Sequence, residues 1–184
     1  MSAALTTRHT YDGYLAWEAN QLGKHEFFKG QVFAILGPQR VHGEIVRNLT
    51  VALQAHLKDT PCRSYSADMK LRVAAADAVF YPDLFVTCDP RDLVTDLVFE
   101  HPTLVIEVLS DRAAAYDRGL KFAAYRQLPS LAEVVLIAPE RESVEVFRRN
   151  PENLFVLHDF TGLALVEFQS IGASVATSMI FENV

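Results

Sequence analysis

Apolar and polar residues along this 184-residue chain recur with periods that change from one segment to the next. Between residues 11 and 22, Tyr14, Leu15, Trp17, Ala19 and Leu22 follow roughly helical spacing and predict a short amphipathic helix. In HEFFKGQVFAILG two short apolar stretches flank Lys29-Gly30, a hairpin signal because glycine accepts positive φ, and Gly37-Pro38 then breaks the chain. Residues 41–58 place Ile45, Leu49, Ala52, Leu53 and Leu57 on one stripe of a helix, with Pro61 just past its end. The segments CRSYSADMKLRVA and VFYPDLFVTC each read as one strand, the second made irregular by Pro82. In PTLVIEVLS (102–110) Leu104, Val105, Ile106, Val108 and Leu109 leave no polar face, as expected of a central strand covered on both sides. A helix over 111–127 follows, capped by Ser110 or Asp111 and ended before Pro129. LAEVVLIAP is a second nearly all-apolar strand, and 142–170 reads as short strands joined by turns.

A strand, a helix and a strand in succession make a βαβ crossover. With the helix at 41–58 on the opposite face, the expected fold class is α/β, an α/β/α core around a mixed central sheet. The length suits one domain spanning 1–184, and no repeat or linker divides it. Half of the residues are hydrophobic and 22% are charged, the balance of a globular chain. No apolar run approaches the roughly 20 residues that cross a bilayer, and the start lacks the pattern of a secretory signal, so a cytoplasmic protein with no membrane partner is expected. Cys62 and Cys88 have no CxxC or CxxH companion, which excludes a zinc cluster and suggests two small buried apolar residues in a reducing compartment. The net charge of −6 weighs mildly against a nucleic-acid partner, since proteins that neutralise many phosphates are normally basic.

Three residues carry candidate chemistry. Glu107 is the one ionisable side chain inside an otherwise apolar strand, so it must be paired, protonated or bound to a cation. Asp83 follows Pro82 in a strand-like run, where a disturbed ladder can aim a side chain at a site; a backbone-capping Asp fits the same pattern. Asp117 and Lys121, four apart on the helix after Glu107, lie beside its apolar stripe of Ala113, Tyr116, Leu120, Ala123 and Ala124, with Tyr125 a turn further. Alone, that spacing equally describes an exposed ion pair. Together, two carboxylates on neighbouring strands and a lysine on the next helix suit a hard cation such as Mg²⁺, with an ammonium beside it to orient or deprotonate water.

At these residues the sequence resembles the PD-(D/E)XK nuclease superfamily and, more closely, the Uma-type family of restriction-endonuclease-like proteins. The resemblance runs from YLAWEANQLGKHEFFKGQVFAILG through HGEIVRNL, ADMKLRV, YPDLFVTCDP and HPTLVIEVLS to YDRGLKFAAYRQLPSLAEVVLI. Pro82-Asp83 matches the first half-motif and Glu107 the acidic residue of the second. Leu109 stands where the lysine of E-x-K would be; the Uma-type D-x-x-x-K segment carries the lysine role to Lys121. The family's hairpin commonly reads DGE, against Lys29-Gly30-Gln31 here, and Glu26 and His42 also match family positions.

The resemblance implies a restriction-endonuclease-like fold and Mg²⁺- or Mn²⁺-dependent hydrolysis of DNA, with Asp83 and Glu107 binding metal and Lys121 assisting the nucleophilic water. Arg40, Arg47, Arg112, Arg118 and Arg126 are candidates for a phosphate-binding face. A homodimer is expected, since a double-strand cut needs two sites. Two other readings stay open: hydrolysis of RNA or a nucleotide, and a non-catalytic binding or assembly domain that keeps the fold.

Overall fold

A computed structural model of the chain describes residues 8–35, 37, 39–110 and 114–184. The first helix, α1 (Tyr11–Glu18), begins where the Thr10 side chain accepts a hydrogen bond from the Gly13 N–H. It ends earlier than the apolar spacing predicts, because the Asn20 and Gln21 amides donate to the carbonyls of Ala16 and Trp17 and close the last turn. Leu22 is left in solvent. Strands β1 (His25–Phe28) and β2 (Gln31–Ala34) form the expected hairpin; Lys29 and Gly30 both take positive φ, which a two-residue turn of this kind requires. Helix α2 (Arg40–Leu57) matches the predicted stripe, and Pro38 lies outside the described residues.

Next come β3 (Arg63–Ser66), β4 (Lys70–Val73), β5 (Ala78–Phe80), β6 (Leu84–Thr87), β7 (Val98–Phe99) and β8 (Pro102–Val108). A helical stretch follows as α3 (Ala114–Tyr116), a π-helical turn at Asp117–Lys121 and α4 (Phe122–Tyr125); its predicted start at 111–113, Ala113 included, lies outside the described residues. The remainder is β9 (Glu133–Ala138), β10 (Ser143–Arg149), β11 (Phe155–Asp159), β12 (Leu165–Phe168), β13 (Ala173–Ala176) and α5 (Thr177–Ile180).

The main sheet has six strands in the order β11-β10-β9-β8-β6-β3. It is mixed: β8 and β9 run parallel, as the crossover predicts, and the other pairs are antiparallel. Helix α2 packs Ile45, Leu49, Leu53 and Leu57 on one face, against Leu104, Ile106, Val135 and Ile137. The opposite face carries Val105, Val134 and Leu136 beneath Ala124, Tyr125 and Leu128. This is an α/β/α arrangement, and β8 is buried on both sides because, Glu107 apart, its interior residues are apolar. Among the described residues no helix is long and apolar enough to cross a membrane.

Two expectations fail in an informative way. Each of the segments 62–74 and 79–88 is two strands in different sheets, not one. β3 and β6 belong to the six-stranded sheet, whereas β4 and β5 belong to a five-stranded sheet ordered β2-β1-β5-β4-β7. The chain crosses between the sheets at 67–69 and again at 81–83, and the Ala67 N–H donates to the Asp83 carbonyl where the crossings meet. Pro82 has no N–H for a ladder, so the second crossing falls at that residue.

The cysteines are the other correction. Cys62 and Cys88 are not free apolar residues but a disulfide. The β3–β6 register pairs Arg63 with Thr87, so one residue further along Cys62 and Cys88 stand opposite one another, a proximity that sequence spacing does not reveal. A bond closing a loop of this length contributes roughly 3–4 kcal/mol in the chain-entropy treatment. Reduction should therefore lower the unfolding free energy read from urea titration by that order, and Cys62→Ser should lack the response. Equal stability with and without reductant would show that the thiols are unbonded in solution.

Candidate active site

Glu107 and Asp83 meet through strand register. In the antiparallel β6–β8 ladder Leu84 faces Ile106, so extending the ladder by one residue sets Asp83 opposite Glu107. Directly opposed residues project from the same side of a sheet. That side is the one covered by α3 and α4, since Phe85 and Val105, two residues away on each strand, pack there with Tyr125. The Val108 N–H donates to Asp83 Oδ2 at 2.8 Å, which fixes the aspartate at the end of the strand pair.

The third predicted residue lies at the centre of the cluster. Lys121 is buried, and its Nζ is 2.8 Å from Glu26 Oε1, 3.2 Å from Glu107 Oε1 and 3.5 Å from Asp117 Oδ1. The exposed-ion-pair reading of Asp117 and Lys121 therefore does not describe this chain. The rings of Phe80 and Tyr116 flank the ammonium, with centroids at 5.9 and 5.8 Å. A π-helical turn begins at Asp117 and ends at Lys121, and Gly119 within it weakens the α-helical preference. The wider turn helps keep Asp117, Lys121 and Tyr125 on one side of the helix. Tyr125 donates to Glu107 Oε1 at 2.6 Å.

Two further residues join this group. Glu26, on β1, is buried and accepts from the Tyr81 N–H at 3.3 Å, so the five-stranded sheet contributes a carboxylate to a site built mainly on the other sheet. His42, in the first turn of α2, brings Nε2 to 2.9 Å from Asp83 Oδ1, although the angle does not make an aligned hydrogen bond. Burial lowers the His42 pKa and favours the neutral ring. Sequence reasoning reached Glu26 and His42 only through resemblance. The available signal for Glu26 was a carboxylate next to two phenylalanines in a short strand; for His42 no local signal exists. Of the five candidate arginines, Arg40 donates to the Asn183 carbonyl, Arg47 pairs with Glu44, Arg118 pairs with Glu145, Arg126 lies over the Phe122 ring, and Arg112 is outside the described residues.

Burial dominates the electrostatics. It raises the pKa of Asp83 well above the usual carboxylate range, and the Glu107 charge pushes the same way while Lys121 and the Val108 N–H resist. Burial also raises Glu107, Glu26 and Asp117, each opposed by Lys121. Burial pulls Lys121 down, but Glu107, Glu26 and Asp117 more than compensate and hold it well above its ordinary value, so it is an ammonium at neutral pH. Asp83, Glu26, Glu107 and Asp117 thus share one cation among the described residues. A divalent cation fits that excess of negative charge. Among the described residues no group of three or more His, Cys, Asp or Glu forms a ready metal cage. An ion held here would rest on Asp83 and Glu107 with water completing its shell, an arrangement Mg²⁺ accepts.

The raised carboxyl pKa values have a signed consequence. The folded state binds more protons than the unfolded chain from the ordinary carboxylate range upward, so these groups stabilise the fold at low pH and lose that contribution as pH rises through their folded values. In chelator the melting temperature should fall as pH rises above the ordinary carboxylate range, and Asp83→Asn should flatten that slope and raise the melting temperature at its upper end. A melting temperature that climbs with pH, unaltered by Asp83→Asn, would contradict this electrostatic picture.

Residues 11–177 match the model of the Uma2 family, described as "Putative restriction endonuclease". Two uncharacterized proteins of Synechocystis sp. are similar along nearly their whole length. For slr1290 the identity is 33% over 170 residues, covering 92% of this chain and 90% of the relative. For sll1609 it is 30% over 164 residues, covering 88% and 93%. A crystal structure from Anabaena variabilis, described as "a putative nuclease belonging to DUF820", superposes with a TM-score of 0.79 at 17% identity, covering 94% of this chain and 97% of that one. That likeness shows that the two chains share an α/β fold with mixed sheets. With a family model spanning most of its length and a relative one-third identical, this chain belongs to the Uma2 family.

Proposed function

We propose that the chain hydrolyses phosphodiester bonds of DNA with Mg²⁺ or Mn²⁺ held by Asp83 and Glu107. The observation that carries this reading is the opposition of Asp83 and Glu107 on one sheet face, with the Lys121 ammonium 3.2 Å from Glu107. When bound, the cation would supply Lewis-acid polarisation of the phosphate and a lowered pKa for water. The chain's own groups do the rest. Tyr125 holds Glu107 by its hydroxyl, and the Val108 N–H holds Asp83, so both carboxylates are oriented before substrate arrives. Lys121, kept protonated by its carboxylate neighbours, offers charge and an N–H donor to an anionic transition state; it is not a base in this setting. A homodimer would supply two sites for a double-strand cut.

A specific observation favours a second reading, a binding or assembly domain that retains the fold. Lys121 is already engaged by Glu26, Glu107 and Asp117, and Leu109 occupies the usual lysine position.

Plasmid DNA incubated with Mg²⁺ or Mn²⁺ should be nicked or cut, and chelation should abolish the reaction. Asp83→Asn and Glu107→Gln should each reduce turnover by about 10²-fold or more. Lys121→Met should lose turnover too, and should also cost roughly 3–5 kcal/mol of stability by leaving buried carboxylates uncompensated. Cleavage by Asp83→Asn at the native rate would remove Asp83 from the site. No hydrolysis of DNA, together with no rise in melting temperature on adding metal, would favour the assembly domain; hydrolysis of RNA alone would change the substrate and keep the site.

A further inference from the structure

At the carboxyl ends of the parallel strands β8 and β9 lies a cavity of about 250 Å³ whose lining includes Leu109, Ser110, Arg118, Ala138, Glu140 and Arg141. Ligands of α/β folds commonly bind outside the carboxyl ends of parallel strands. The cavity is on the same side of the sheet as Glu107, because Leu109 packs with Val105 and Tyr125 in the core beneath α4. Two residues of strand separate Glu107 from Leu109, roughly 7 Å.

The polar groups around it are incompletely matched. Arg118 pairs with Glu145 through Nη1, while its Nη2 has no hydrogen-bond partner among the described residues. Ser110 adds a hydroxyl to the lining. Buried donors without partners are uncommon in native proteins, and they often mark the place where an ion or a ligand group binds. Arg141 forms no ion pair among the described residues. Glu140 is the one carboxylate in the lining, against the guanidinium of Arg141 and that of Arg118, whose Nη2 edge stays open although Nη1 is paired with Glu145. Guanidinium groups beside a hydroxyl suit an oxyanion, and a phosphate most of all.

We propose that this cavity seats a backbone phosphate of the nucleic-acid strand next to the one at Asp83 and Glu107. Arg118 and Arg141 are the phosphate contacts, and Glu140 limits the affinity. The assignment of nucleic acid as ligand rests on the hydrolytic reading above, but its test does not need hydrolysis.

Binding of a fluorescein-labelled DNA duplex, read by anisotropy in chelator over a range of salt, measures the contribution of each group. Arg118→Gln and Arg141→Gln should each raise Kd by about 10-fold and reduce the salt slope by about 1. Glu140→Gln should tighten binding about 3-fold, a gain that misfolding cannot mimic. Arg91→Gln, an exposed arginine paired with Asp89 beyond the far end of β6, is the control and should change Kd less than about 2-fold. If Arg118→Gln does not fold, Arg141 and Glu140 decide the matter. Pocket variants indistinguishable from Arg91→Gln, or a native protein that binds no DNA, would overturn the proposal. A protein that hydrolyses nothing yet shows these dependences keeps the phosphate pocket and loses the hydrolytic reading. One that cuts DNA with a Kd indifferent to all three changes keeps the reading and loses the pocket.

Discussion

The Lys121 ammonium sits out of water within ion-pairing distance of Glu26, Glu107 and Asp117, carboxylates from β1, β8 and the π-helical turn. Burying one such charge alone is prohibitively costly, and burying any of these carboxylates alone would be too. Each group is tolerable because the others are present, so the two sheets and the helix over β8 must come together for any of the charges to be satisfied. The cluster is incompletely neutralised even then. Asp83, opposite Glu107, adds a fourth carboxyl to one ammonium, and the shared pKa elevation is the physical signature of that imbalance. A stable fold with an electrostatic deficit in one place is what a cation-binding site requires, at a cost to stability that a well-paired core would not bear.

The position of the deficit follows from where the chain changes sheets. Tyr81, Pro82 and Asp83 carry it from β5 to β6, and no regular ladder serves these residues. Tyr81 instead donates its N–H to Glu26 and its hydroxyl to Glu18 at 2.9 Å, and Glu18 accepts in turn from the His25 N–H at 2.8 Å. This ties α1, the β1–β2 hairpin and the crossing to one another. Asp83 then emerges at the end of β6 with its Oδ2 on the Val108 N–H. The aspartate of the site is thus held by side-chain and end-of-strand hydrogen bonds where the sheet itself is interrupted.

Much of this was legible in the sequence, and the rest was hidden for definable reasons. An apolar run with one carboxylate identified both the central strand and Glu107, because burial on two faces leaves no other pattern. The α2 stripe and the parallel β8–β9 pair were readable on the same principle. Local alternation, however, does not encode which sheet a strand joins, so 62–74 and 79–88 read as continuous strands although each divides between two sheets. The Cys62–Cys88 bond depended on that missing β3–β6 pairing. Lys121 was readable as either a surface partner of Asp117 or a site residue. Its burial is decided by Glu26, some ninety-five positions away in sequence, and no helical pattern contains that information. Family resemblance carried Glu26 and His42, whose neighbours in sequence say little about their neighbours in space.

Membership in the Uma2 family and the shared α/β fold set the context, yet fold alone does not decide chemistry. Whether Asp83 and Glu107 hold a cation is the point on which the functional reading turns. A crystal soaked in Mn²⁺ and measured near the manganese absorption edge tests it most directly. Anomalous density between the two carboxylates, at about 2.0–2.3 Å from an oxygen of each, is the expected result. Saturating Mn²⁺ with no density there, and Lys121 still enclosed by Glu26, Glu107 and Asp117, would contradict it.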